Sequence, residues 1–403
     1  MRGARGRGSW AVRVAGVCIT ALAALALGCH APAGDSSGMG LDAGASGFSW
    51  QTIRRPNPSE LFLAVWASAA GDVYAASEGE YDVFSVVSSH DHGETWQVSS
   101  VGDSIAPLTG VVGIGPSNIY AVGSTRPSYA ENALPFVAIS TDGGASFTPT
   151  YPPFAGGMNA VAADAVGNLV AVGTGPDGGF FARSTDGAAT WTRAAVPGTS
   201  GLDGIWVAAD GTIYACGLGT AARAPRDGGD AASAVGDAGD EAGVAMDGGA
   251  PANAGVVIRS TDGGATWQPV ATALGGLFAI SGTPDQTRMM AVGAGYTNIE
   301  LETGSTSWYM HAGDPQDVAE NDGDFTGVWI PDTTESPYLT MGNAGHVVRG
   351  ADDGGSELGD VVTSYEDLPA AGPGLQSGAF AVTGTGPDDV WAVGSGIFHR
   401  SMR

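Results

Sequence analysis

STDGGATW at residues 260–267 decides how this chain is built, because SHDHGETW at 89–96, STDGGASF at 140–147 and STDGAATW at 184–191 repeat it. Such an octet reads as a turn: the Asp side chain accepts hydrogen bonds from nearby backbone N–H groups, the Gly permits a positive φ, and the aromatic packs between layers. Repetition at a near-constant period means units that cannot bury an apolar face alone and must stack on their neighbours. Two weaker copies extend the set. GADDGGSE at 350–357 keeps Asp352, Gly354 and Ser356, and the segment from Glu302 to Trp308 keeps Gly304, Thr306 and a tryptophan shifted by one. We read Asp91, Asp142, Asp186, Asp262 and Asp352 as structural clamps of these turns.

Upstream of each octet stands a second pattern, a small residue followed by a β-branched or apolar one, and then a strand closing on Ala-Val-Gly or a variant of it. The first element occurs seven times, at Ala64, Gly110, Ala160, Gly204, Ala279, Gly327 and Ala381. The second ends at Ser77, Gly123, Gly173, Gly217, Gly293, Gly342 and Gly394, in steps of 46, 50, 44, 76, 49 and 52 residues. Each period holds four short β runs, which predicts an all-β, seven-bladed propeller of four-stranded blades. The small residues suit the axis, where seven strands crowd together. The chain ends just after the third strand of the seventh blade, so the fourth must come from elsewhere. FSWQTI at 48–53 matches TWQVSS at 95–100, and it predicts closure of the last blade by the N-terminal segment, which removes an exposed edge.

The long fourth step comes from residues 219–254, acidic and nearly without large apolar groups, which we expect to be a disordered insertion. With 66 glycines and 14% charged residues, the composition suits a turn-rich β protein. The net charge is −26, and all 16 bases are arginine. Such a surface repels phosphate backbones, so nucleic acid is not an expected partner.

Residues 1–28 read as a signal peptide: an Arg-rich start, the apolar run Val14–Leu27, too short to span a membrane, and a small residue at Gly28. The run ends in ALGC at 26–29, which resembles the lipobox of bacterial lipoproteins and implies lipidation at Cys29. Cleavage after Ala31-Pro32-Ala33 is the alternative. Residues 29–47 then form a flexible tether, and the expected location is the bacterial cell envelope, the outer membrane being reached through the lipid anchor alone. Once Cys18 leaves with the leader, Cys216 has no disulfide partner in the mature chain. It lies in the strand pattern IYACG, and we expect a buried core residue.

The octets and their period resemble the Asp-box propellers, also called bacterial neuraminidase repeats, a group that includes sialidases, sortilin-type receptors and photosystem II assembly factors. The resemblance covers about residues 48–403. It implies the propeller fold, and it admits both binding proteins and glycoside hydrolases. A sialidase site would need an arginine triad. Here IRRP at 53–56 is the nearest match to the family's Arg-Ile-Pro element, with Arg55 in place of isoleucine, and Arg183, Arg259, Arg349 and Arg400 all occupy one repeat position, as scaffold residues do.

No carboxylate pair stands out for glycoside hydrolysis. His90 and His92 fill variable positions around the Asp91 turn. Asp314, Asp317, Asp322 and Asp324 supply enough oxygens for calcium but lack EF-hand spacing, and no cofactor is expected. The variable loops after second and fourth strands share one face, opposite the octets, and carry Arg126, Tyr129, Tyr151, Phe154, Tyr309 and His311. Those residues are the candidate ligand contacts. The reading is an envelope-anchored, monomeric, non-catalytic binding or assembly module for an envelope protein or glycan, with an extracellular Asp-box glycoside hydrolase as the alternative.

Overall fold

A computed structural model describes residues 48–54, 61–77, 83–103, 107–125, 133–220, 254–301, 305, 307–311, 324–332, 336–342, 346–351, 362–369 and 378–402. Seven antiparallel sheets of four strands form the blades. From inner to outer strand, blade one comprises Phe62–Ala67, Val73–Ser77, Val83–Ser89 and Gln97–Asp103, and blade two Leu108–Ile114, Asn118–Ser124, Pro135–Ser140 and Thr148–Thr150. Blade three comprises Gly157–Ala163, Leu169–Gly175, Gly178–Ser184 and Thr192–Ala195; blade four Thr199–Val207, Ile213–Gly219, Gly255–Ser260 and Gln268–Ala273. Blade five comprises Leu277–Gly282, Met289–Gly293, Asn298–Leu301 and Trp308–His311; blade six Phe325–Trp329, Tyr338–Met341, His346–Ala351 and Val362–Asp367.

Blade seven takes Ala379–Gly386, Asp389–Gly394 and Ile397–Met402 from the C-terminal end and Phe48–Arg54 as its outer strand. The pairing runs from Phe48 opposite Met402 to Arg54 opposite Ile397. The first strands of successive blades touch one another all the way round, from blade one to seven and back to one. Closure by the N-terminal strand is therefore as the sequence predicts. The inserted segment is shorter than expected, since the second strand of blade four continues to Gly219 and a buried Ala254 leads back into the third. Residues 221–253 lie outside the described residues.

Two features explain why these strands stack. Every inner strand carries a register shift at the same repeat position, with Leu63, Thr109, Asn159, Asp203, Phe278, Thr326 and Phe380 as the extra residues. The small residue that follows each of them meets the next blade. A Cβ added to Gly327 would stand 3.0 Å from the Phe380 carbonyl oxygen, and one added to Gly204 would stand 3.1 Å from Ala279 Cα. Away from the axis, the second strand of a blade reaches the turns of the next. Tyr74 donates to the Gly143 carbonyl at 3.1 Å, Tyr214 to Gln286 Oε1 at 3.1 Å, and Tyr338 to the Pro387 carbonyl at 3.4 Å.

The seam between blades six and seven has a further clamp. Glu366, on the outer strand of blade six, accepts from Trp50 Nε1 at 2.7 Å and from Arg400 Nε at 2.8 Å and Nη2 at 3.1 Å. Arg400 and Arg349 both lie over the Tyr338 ring, at 5.5 and 4.7 Å from its centroid. Arg400 is only 3% exposed, so its charge is stabilised by this bidentate pairing and by its bond to the Pro387 carbonyl. At the repeated arginine position Arg400 thus joins blade seven to blade six, whereas Arg349 lies over a ring of its own blade.

Trp50 is 7% exposed in the core of this seam. Trp50→Ala should therefore lower unfolding stability by about 3–5 kcal/mol, and deletion of residues 48–54 should lower it further or abolish a cooperative transition. Denaturant titration followed by tryptophan fluorescence measures both. Midpoints equal to wild type would assign this segment to the tether.

Candidate functional site

The octets form one face. In each, the Asp closes the turn between third and fourth strands by accepting from the Ser before it and the Thr or Ser after it. Asp262 Oδ1 accepts from Ser260 Oγ at 2.8 Å and from the Thr266 amide at 2.9 Å, and Oδ2 accepts from Thr266 Oγ1 at 2.6 Å. Asp91, Asp142 and Asp186 make the same contacts. Asp352 lies outside the described residues.

The Ser hydroxyl receives the amide of the fourth residue on, at Gly93, Gly144, Ala188 and Gly264. Gly264 has φ +92, and a Cβ there would meet the Phe181 ring of blade three. Blade three tolerates Ala188 at this position, still with φ 67. The octet aromatics fill the seams: Trp267 meets Phe181 edge-on at 5.3 Å, and Trp96 meets Trp391 at 6.3 Å.

The first-to-second turns lie on this same face. His92 and Gly143 donate backbone bonds to Gly71 and Ser117 in those turns, and His90 Nδ1 lies 2.7 Å from Asp72 Oδ1. Asp164 caps its turn through the amides of Val166 and Asn168, and Asp210 does so through that of Thr212. The two histidines thus tie turn to turn. Among the described residues no group of three or more His, Cys, Asp or Glu side chains is arranged to hold a metal. Asp324 accepts from the Gly295 amide at 2.9 Å, while Asp314, Asp317 and Asp322 lie outside the described residues.

The opposite face carries the second-to-third loops and the links between blades, joined to each other by Gly156 N–H to the Ala133 carbonyl, Thr220 to Gly198 and Ser395 to Gly378. Here the structure separates the candidate contacts. Tyr151 is 52% exposed and stands edge-on to Phe136 at 5.6 Å. With Pro152, Pro153 and the blade-three octet residues Ala188, Ala189, Thr190 and Trp191 it lines a hollow of about 180 Å³ in the outer seam between blades two and three, so the hollow runs from the loop after blade two to an octet. Leu134, 43% exposed, lies on the loop beside it. Phe154 instead turns inward, edge-on to Phe180 at 5.6 Å, within the blade-three core.

Tyr309 belongs to no loop. It sits in the outer strand of blade five, paired with Glu300 and 45% exposed beside Met310, because strand pairing continues through residues that read in sequence as the start of a variable loop. His311 ends that strand. Arg126 and Tyr129 lie outside the described residues.

Sequence reading missed the inner ring of register-shift residues, one position before the small residues that it aligned. Three of them are apolar (Leu63, Phe278 and Phe380), three are neutral and polar (Thr109, Asn159 and Thr326), and one is Asp203. Asn159 Nδ2 donates to Asp203 Oδ1 at 2.9 Å and to the Leu202 carbonyl at 2.9 Å. Cys216 is fully buried behind this ring, and burial pushes its thiol well above the ordinary range, as befits a core residue and not a nucleophile.

The sequence matches no protein-family model and no curated protein. Solved structures do resemble it. YCF48 bound to D1 peptide superposes with a TM-score of 0.57 at 15% identity, covering 88% of this chain and 95% of that one. YCF48 from Cyanidioschyzon merolae gives 0.54 at 13% identity, over 88% and 98%. A catalytically inactive virginiamycin B lyase from Staphylococcus aureus with quinupristin gives 0.60 at 11% identity, over 88% and 100%. The likeness is one of fold. A peptide-bound protein and a lyase share it, so function must be argued from this chain's own surfaces.

The octet bonds make a prediction about acid. Hydrogen bonds from the Thr or Ser hydroxyl hold the carboxyls of Asp91, Asp142 and Asp262 at about 2, below the unfolded value of about 3.9. Their contribution is present above about pH 4 and is lost as pH falls toward 2. Asp142→Asn should lower the melting temperature at pH 7 and flatten its decline between pH 4 and 2, as read by circular dichroism. An acid slope identical to wild type would remove these turns from the stabilising set.

Proposed function

We propose that this chain is a non-catalytic binding or assembly module, anchored in the cell envelope, that presents the loop face of its propeller to a protein or glycan. The observation that carries the reading is the hollow beside Tyr151: an aromatic ring half exposed at its rim, two prolines of the link after blade two, and Thr190 and Trp191 of the blade-three octet, in the seam between two blades. Rigid aromatic side chains supply contact area at low entropic cost and anchor many interfaces. YCF48, a propeller of similar fold, has been solved with a D1 peptide, which supports a peptide-like ligand here. The single carboxyl on the inner ring faces an amide, Asn159, not a second acid. That favours binding over glycoside hydrolysis, which works through two converging carboxyl groups.

A glycan array and affinity capture from envelope extracts, each run with wild type and Tyr151→Ala, test the reading. The captured ligand should bind the variant about tenfold more weakly, a loss of about 1.4 kcal/mol, while Asp142→Asn at the octet face binds normally below its own melting point. Normal binding by Tyr151→Ala, or loss confined to variants of octets that do not line the hollow, would place the contact surface elsewhere.

The anchor has a separate test. Lipid at Cys29 predicts a diacylated N-terminal peptide in mass spectrometry, and release of the protein from membranes on Cys29→Ser. A mature chain starting at Gly34 would make the protein a plain secreted one.

A further inference from the structure

The ring of register-shift residues follows a rule at three of its polar members. Thr109 Oγ1 donates to the Met158 carbonyl at 3.0 Å and Asn159 Nδ2 to the Leu202 carbonyl at 2.9 Å, and Thr326 Oγ1 lies 3.4 Å from the Ala379 carbonyl, which shares its proton with the Thr340 carbonyl of its own blade at 3.3 Å. Each acceptor is the residue just before the next blade's own register-shift residue. The side chain at this position therefore ties its blade to the following one by donating a hydrogen bond across the seam. Asp203 occupies the position in blade four, where the matching acceptor is the carbonyl of Leu277, the residue before Phe278. A carboxylate donates nothing and would set its negative charge against that carbonyl dipole. A carboxylic acid keeps the rule.

We propose that Asp203 is held in the folded protein as a neutral carboxylic acid that donates to the Leu277 carbonyl, making the seam between blades four and five sensitive to the loss of one proton. The surroundings fit. Oδ1 already accepts from Asn159, which leaves Oδ2 to carry the proton. The groups packed around it are Asn159 on blade three's inner strand, Thr174 hydrogen-bonded to the same amide, Cys216 on blade four's second strand, and Phe278 and Ala279 of blade five against Gly204.

Of these only Cys216 titrates, and burial keeps it a thiol. Desolvation pushes the Asp203 carboxyl up to about 7, against the smaller lowering effect of Asn159. A folded value above the unfolded one of about 3.9 means that stability is lost as pH rises from about 4 to about 7. Above that the loss is complete and constant.

Asp203→Asn supplies both a carbonyl oxygen for the Asn159 amide and an N–H for Leu277, at every pH. Its melting temperature should equal that of wild type near pH 4 and exceed it by several degrees at pH 7–8. A difference that does not change between pH 4 and 8 would overturn the proposal. A second readout does not depend on the stability of the variant. The infrared carbonyl stretch of a protonated carboxylic acid should be present in wild type at pH 6 and fade through pH 7–8, and its absence at pH 6 would equally overturn the proposal. Neither measurement involves the ligand face, so failure here leaves the binding reading standing.

Discussion

Everything in this molecule depends on how closely seven inner strands approach at the axis. Residues Ala64, Gly110, Ala160, Gly204, Ala279, Gly327 and Ala381 alternate alanine with glycine along the chain, two alanines meeting where blade seven closes on blade one. Where a glycine stands, the backbone of the next blade lies within about the distance that a methyl group needs. Close-packed interiors leave no slack for an added side chain. Blade number, ring diameter and the position of every loop follow from that contact, because a wider spacing at the axis would open each seam from the centre outwards.

The seams are then sealed twice over at larger radius. Aromatic side chains on second strands reach the turns of the following blade, and octet aromatics slot back against the sheet of the preceding one. Each octet is thus shared: its hydrogen bonds are internal, and its packing belongs to the neighbour. That division explains why Ser, Asp and Thr or Ser recur in all four full octets, while the residues between them vary through His92, Gly143 and Ala188. The hydroxyl and carboxylate geometry admits few substitutes, whereas the variable positions only have to accommodate a left-handed backbone.

The fold was readable in the sequence because its determinants are local and repeated. The octet, the small residue and the closing Gly each recur at a set spacing, and Phe48-Ser49-Trp50-Gln51 announces the missing strand by resembling its counterparts. The site was far less readable. Tyr151 and Phe154 look equivalent in sequence, yet one is exposed and the other packs on Phe180, a difference set by how the link between blades turns. Tyr309 reads as loop because the strand before it is interrupted by glycine and serine. Asp203 and Glu366 carry no motif at all. Their importance comes from partners on other blades, Asn159 in one case and Trp50 with Arg400 in the other, and a contact of that kind leaves no periodic trace.

Closure by the N-terminal strand has a consequence for how the chain reaches its native state. Trp50 and its partner Glu366 are 316 residues apart in sequence, so the first of the propeller's strands to be made is the last to find its place. Until Ile397–Met402 exists, both edges of the growing ring stay open, and loop closure over that span makes the final pairing a non-local, intrinsically slow event. Six blades can stack progressively as they are made. The seventh is assembled only once Ile397–Met402 has been made, so a chain stopped before that strand would keep a free edge at one end and leave Trp50 without its pairing strand at the other.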